Sequence, residues 1–224
     1  MPPVSRARPA GYAGPVSNGS GTRTGVNDES FHRALRAARD ALDEAGVPHV
    51  FMGGVASIVH GRTSWTHDID VFLPAAHEPT ATEALVRHGF IARDSEHGWL
   101  SKVEMDDVVV DLIHRAEGPV YVDAEMLERA VERTVWGVPV RVLAPEDLIV
   151  TKALAHDEET AHYWWDILAI IAGCDLDWDY LVHRARRGPR RLLSVLFYAQ
   201  SSDLTVPESA VRRLLDTVVG PVSV

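Results

Sequence analysis

The sequence predicts an α/β protein, with a mixed-sheet core over residues 28–143 and a C-terminal helical part over 144–224. Three observations carry this. Between residues 47 and 143, short apolar runs alternate with stretches of helical spacing. Two of those runs carry isolated aspartates, and from Pro145 onward strand signals give way to apolar residues at helical intervals. At 224 residues and 46% hydrophobic content, the chain is long enough for a sizeable core.

Residues 1–27 are rich in Pro, Gly and Ser and poor in large apolar groups, so a disordered N-terminal tail is expected. They hold Arg6, Arg8 and Arg23 and no acid, which leaves 19 Lys and Arg against 32 acids in the remainder. From Asp28, Phe31, Leu35, Ala38, Leu42 and Ala45 share one helical face, and Gly46 stops the helix. "VPHVFM" then reads as a strand, Gly53 and Gly54 as a break, and "VASIVHG" as a short helix. "HDIDVFL" reads as a second strand, "PTATEALVRHG" as a helix and "FIAR" as a strand. "WLSKVEM" and "DVVVDLIH" read as two more, with Asp106 and Asp107 at the turn. "DAEMLERAVERT" is expected to be one helix capped by Asp123, followed by a hairpin or edge strand in "VWGVPVRVLA". The helical segments after Pro145 include "PEDLIVTKALAHD" and "ETAHYWWDILAIIAG".

Composition narrows the chemistry. Cys174 is the only cysteine, so an intrachain disulfide and a paired-cysteine zinc site are excluded. A net charge of −10 argues against a broad electrostatic grip on nucleic acid, and favours a small or narrowly contacted acceptor. No stretch has the roughly 18 apolar residues of a membrane span, and the N-terminus lacks a secretory run, so a cytoplasmic location and no membrane partner are expected.

The aspartates point to a metal. Alternation in a strand puts Asp68 and Asp70 on one face, with Cα atoms about 6.5–7 Å apart. Asp111 stands alone in the apolar run "VVVDLIH", the pattern of a central strand with one polar group needing a partner. Three clustered carboxylates would resist ionisation, and a hard cation removes that cost. Oxygen-only ligation suits Mg²⁺, or Mn²⁺, beside substrate phosphates. Gly53 and Gly54 allow close backbone approach to a phosphate.

"GGVASIVHGRTSWTHDIDVFL", then "VVVDLIH", then "APEDLIVTKALA" together resemble the DNA polymerase beta-like nucleotidyltransferase superfamily. Within it the look is nearest to small bacterial abortive-infection toxin and aminoglycoside nucleotidyltransferases, over about residues 47–170. The resemblance implies transfer of a nucleoside monophosphate from a nucleoside triphosphate such as ATP to a hydroxyl or phosphate on a small molecule or RNA. It implies that Asp68, Asp70 and Asp111 are catalytic and hold two metal ions about 3.5–4 Å apart. It also implies that Gly53, Gly54, Arg62, Thr66 and Lys152 bind nucleotide, with an antitoxin protein as a partner of toxin-like relatives.

The sequence departs from the pattern in two places. Gly-Gly-Val replaces the usual Gly-Ser, leaving Ser57 or Thr66 to supply a hydroxyl; and Ser64 stands where relatives carry Arg, with Arg62 two residues earlier. A binding module without turnover is the alternative. The bland readings are a surface or supporting role for His60, His67 and His114, core packing for Trp164 and Trp165, and a solvated helix end for the five Arg of residues 184–191.

Overall fold

The structure is a computed structural model and describes residues 28–220 except Ser64, Glu96 and Glu158; the expected N-terminal tail lies outside the described residues. Helix α1 (Asp28–Glu44) buries Phe31, Ala34, Leu35, Ala38, Ala41 and Leu42, the single face that the spacing predicts. It ends at Gly46, whose φ of 64° is a left-handed stop that glycine adopts without steric cost.

The core strands are β1 (Val50–Phe51), β2 (Asp68–Phe72), β3 (Ile91–Arg93), β4 (Leu100–Met105), β5 (Val108–Ile113), β6 (Val131–Val135) and β7 (Val138–Val142). They form one sheet in the order β3-β4-β5-β2-β1-β7-β6. The pairs β2–β5 and β1–β7 are parallel and the other neighbours antiparallel, so the sheet is mixed as predicted. Helix α2 (Gly53–Val59) packs against β2 and β7, whereas α1 and α3 (Glu78–Arg87) pack on each other and on β5.

Two hairpins set the register. Asp106 and Asp107, at φ 52° and 64°, turn β4 into β5, and Trp136 and Gly137, at φ 48° and 76°, turn β6 into β7. Positive φ at both central residues matches the twist of the flanking strands. The second hairpin corrects the helix expected over "DAEMLERAVERT". Helix α4 stops at Glu128 after starting at Ala124, and "VERTV" pairs with β7 from Val131↔Val142 to Val135↔Val138. The β-branched Val and Thr residues there satisfy their backbone in the ladder, which outweighs the helical spacing of the preceding glutamates.

Beyond β7 the described chain is helical: α5 (Pro145–Ala155), α6 (His162–Gly173), α7 (Trp178–Arg184), α8 (Pro189–Ser201) and α9 (Glu208–Val219). Helix α5 is central, packing on α6, α7 and α8 and reaching back to α2. It is buried nearly all round, so its polar residues need internal partners. The fully buried Asp147 accepts from Tyr180 Oη at 2.8 Å and pairs with Arg184 Nε at 2.8 Å. Arg184 also donates to Asp123, the cap of α4, which ties α7 to the sheet's hairpin side. Burial outweighs these partners and pushes the Asp147 carboxyl up to about 6.

No helix among the described residues is long and apolar enough to cross a membrane. The Arg-rich stretch is largely engaged: Arg187 donates to Pro119 O, Arg191 to His156 O and Arg190 to Val218 O. Arg186, Arg187, Arg190 and Arg191 are exposed, as a solvated helix end requires, while these contacts tie that end to its neighbours. Cys174 is half-buried, with Sγ 3.4 Å from His60 O.

Replacing Asp147 with Ala strands the Tyr180 hydroxyl and leaves Arg184 with less compensation. The expected loss of stability is about 3 kcal/mol, the lower end for breaking a buried pair on one side, read as the shift in urea midpoint at pH 7.

Candidate active site

Strand β2 alternates as its sequence requires: Ile69 and Val71 are fully buried on one face, and Asp68 and Asp70 project from the other. Helix α2 begins against that second face, at Gly53 itself, so the glycine pair forms a first helical turn where the sequence suggested a loop ahead of the helix. Gly53 has φ 54°, and a Cβ there would lie 1.7 Å from Asp70 Oδ2; a Cβ on Gly54 would lie 2.1 Å from Thr66 Oγ1. The two glycines are therefore needed for contact with the protein's own groups. The Gly54 amide donates to the Asp70 carboxylate, and Met52 N donates to Asp70 O at 2.9 Å.

Asp70 is strongly perturbed. Burial first, then the charges of Asp68 and Asp111, push its carboxyl up to about 7 against the opposing pull of Lys152. Thr66 Oγ1 donates to Asp68 Oδ1 at 2.8 Å, which orients the outer carboxylate. Ser57, the other hydroxyl considered for a phosphate, is fully buried and donates to Gly53 O at 2.7 Å and toward Asp166 Oδ2 at 3.3 Å. It is turned into the protein.

Across the cleft, Lys152 Nζ lies 2.8 Å from Asp166 Oδ2 and 4.3 Å from the centre of the Tyr163 ring. Arg62 Nη1 reaches the same Asp166 oxygen at 3.3 Å, and Arg62 Nη2 donates to Trp65 O at 3.2 Å. Burial pulls the Lys152 ammonium below the usual lysine range, with Asp166 opposing. Asp166 thus gathers a lysine, an arginine and a serine on one buried carboxylate.

Gly53, Gly54, Arg62, Thr66, Asp68, Asp70 and Lys152 line one cleft. Trp65, His67, His162 and Tyr163 complete its wall, and sequence reasoning gave none of these four a substrate role. A signal was present for part of it, because His162, Tyr163 and Asp166 stand three and four residues apart in α6 and so share a face. His156, four residues after Lys152, follows the end of α5 in extended backbone and packs on Trp164. Trp164 packs against the core, as its bland reading held, while Trp165 is exposed.

Asp111 stands apart from the cleft wall. Parallel register sets it beside Asp70, but both its oxygens accept from Lys102 Nζ, at 2.8 and 3.0 Å. Among the described residues no group of three or more His, Cys, Asp or Glu side chains is disposed to hold a metal ion. Two carboxylates remain, Asp68 and Asp70, on one strand face with like charges that Lys152 offsets only in part. An oxygen donor set of that kind fits a hard divalent cation.

A family described as "Nucleotidyl transferase of unknown function (DUF2204)" matches residues 31–187, which include every residue of the cleft. The chain belongs to this family. The resemblance seen in the sequence is thereby borne out at the level of nucleotidyltransferases. Among solved structures, an antigenic nucleotidyltransferase-like protein from Paracoccidioides brasiliensis is 16% identical over 84% of this chain and 94% of that one, with a TM-score of 0.53, which shows a shared fold. The antibiotic-resistance factor ANT(2'')-Ia is 21% identical over 84% of this chain and 90% of that one, with a TM-score of 0.44. The lincosamide antibiotic adenylyltransferase LnuA, bound to lincomycin, is 14% identical over 66% and 98%, with a TM-score of 0.46. Among curated proteins, none matches the chain.

Two expectations follow for this nucleotidyltransferase. With a folded carboxyl near 7 and an ordinary value of 3.8, Asp70 favours folding fully below pH 4 and loses that contribution as pH rises through 7. In EDTA, Asp70→Asn should therefore gain up to about 4 kcal/mol on the parent between pH 4 and pH 8, read by urea denaturation at both values. Gly53→Ala meets both a positive φ and the Asp70 carboxylate. It should cost more than about 1 kcal/mol, whereas the same change at an unstrained surface helix site should gain about 0.4–1 kcal/mol.

Proposed function

We propose that this nucleotidyltransferase uses a divalent cation on Asp68 and Asp70 to transfer a nucleoside monophosphate from a nucleoside triphosphate to a hydroxyl or phosphate acceptor, with pyrophosphate leaving as the α–β phosphoanhydride bond breaks. The observation that carries the reading is the seat of Asp70. A half-buried carboxylate under a helix start, beside Asp68 and in register with Asp111, is costly without a cation. When bound, Mg²⁺ or Mn²⁺ supplies Lewis-acid polarisation of the phosphoryl oxygens and offsets charge developing on them.

The protein's own groups do the rest. Thr66 holds the Asp68 carboxylate in orientation, and the Gly54 amide holds that of Asp70. Lys152 and Arg62 converge on Asp166 in the same cleft wall, and an arriving triphosphate offers both cations a second anionic partner. Asp166 keeps the two charged groups in place between turnovers. The overall charge of −10 favours an acceptor gripped locally, either a small molecule or an RNA end, over a long nucleic-acid track.

Transfer of label from α-labelled nucleoside triphosphates, with bulk tRNA and pooled small-molecule acceptors offered in turn, tests the reading. Asp68→Asn and Asp70→Asn should each lower transfer more than about 100-fold, beyond the loss from removing a mere supporting contact to a metal ligand, while circular dichroism stays unchanged. Full activity in EDTA, or in either variant, would overturn it.

A further inference from the structure

The β4–β5 hairpin turns at Asp106 and Asp107 and so pairs Lys102 directly with Asp111, while β5 pairs Asp111 with Asp70. Directly paired residues share a sheet face, so Lys102, Asp111 and Asp70 form one row across three strands. The next residue in the row, Arg93, is committed to Glu104 by two hydrogen bonds of 3.0 and 3.2 Å. Lys102 is left to answer the carboxylates, and its ammonium spans both oxygens of Asp111. The Asp111 side chain is 14% exposed and that of Lys102 33%, so the lysine reaches the pair from the solvent side on a flexible stem.

We propose that Lys102 is a resident cation of the site: its ammonium occupies Asp111, and it must withdraw before that carboxylate joins an ion held by Asp68 and Asp70. The inference rests on the metal reading above and adds a competitor to it. An ammonium bridging both oxygens and a divalent cation on the same oxygens repel each other at contact distance, so the two exclude one another. The wild-type protein then loads a first ion on Asp68 and Asp70, and pays for any use of Asp111 by opening the Lys102 pair. Lys102 is a positioning residue in this scheme, acting through Asp111. A pair closed nine-tenths of the time leaves about one-tenth of molecules competent, which weakens that step about tenfold.

Mn²⁺ binding to the full chain without nucleotide, counted by the paramagnetic resonance signal of the free ion, reads this directly. Lys102→Met keeps the apolar stem and removes the charge. It should tighten the weaker Mn²⁺ step, or add a second ion, by about tenfold or more, and Asp111→Asn in the same chain should cancel the gain. Identical isotherms for the parent and Lys102→Met would overturn the proposal. Lys102→Gln serves if the methionine variant fails to fold, and nitrogen-resolved resonance of the Lys102 ammonium tests the parent chain alone. Release of Lys102 from Asp111 at saturating Mg²⁺ supports the scheme, and a pair that persists there overturns it. Absence of any Mn²⁺ binding that depends on Asp70 sinks the metal reading itself, an outcome separate from a Lys102 variant that binds like its parent.

Discussion

A carboxylate that burial and two like charges disfavour, Asp70, is the constraint around which the rest of the site is arranged. Its backbone must sit in a central strand, so Ile69 and Val71 anchor the opposite face in the core. Its oxygens must meet donors without a side chain intervening, so the neighbouring helix starts on a glycine with positive φ. Its charge must be answered, so ammonium groups stand on both sides, Lys152 from α5 and Lys102 by way of Asp111. Each requirement falls on a different stretch of chain, and the sheet order β4-β5-β2-β1 brings them together.

The outer layer has the same logic at one remove. Asp166 in α6 meets the cleft through Lys152 and Arg62 and helps set where both point. Helix α5 carries Lys152 into the core, and α5 is in turn held by Asp147 through Tyr180 and Arg184. The helical part therefore serves the site mechanically: movement of α5 relative to α2 would carry Lys152 away from Asp70. This is why the strand-rich and helix-rich stretches share one buried network.

Much of this was legible in the sequence, because period-two alternation and glycine positions are local facts. Asp68, Asp70 and the glycine pair were found that way, Lys152 came from the resemblance to nucleotidyltransferases, and the structure gathers them in one cleft. The glycines were legible only in part, since a sequence shows which positions lack a Cβ but not which of the protein's own atoms fill the space; here those are Asp70 and Thr66. The short helix of α4 was overextended because "ERAVERT" has helical spacing, and only pairing with β7 reveals it as a strand. The partners of Asp166 lie more than a hundred residues upstream in two of three cases, beyond the reach of any local pattern. Lys102 was the missed residue whose signal was plainest: it lies four residues before the Asp106–Asp107 turn and Asp111 four after it, so hairpin register alone pairs them.

The two lysines differ in a way that assigns them different tasks. Lys152 has a side chain only 6% exposed, a buried carboxylate at 2.8 Å and an aromatic ring beneath its ammonium. Withdrawing it would strand Asp166 and leave a desolvated charge to be rehydrated, a cost of several kcal/mol. Lys102 sits at the sheet surface with a third of its side chain in water, where an ion pair contributes on the order of 1 kcal/mol. Its release needs only a rotation of the stem into solvent. A fixed cation suits a permanent wall of the cleft, and a releasable one suits a carboxylate whose partner changes during the reaction cycle. Burial, more than residue type, separates the lysine that shapes the site from the lysine that regulates access to it.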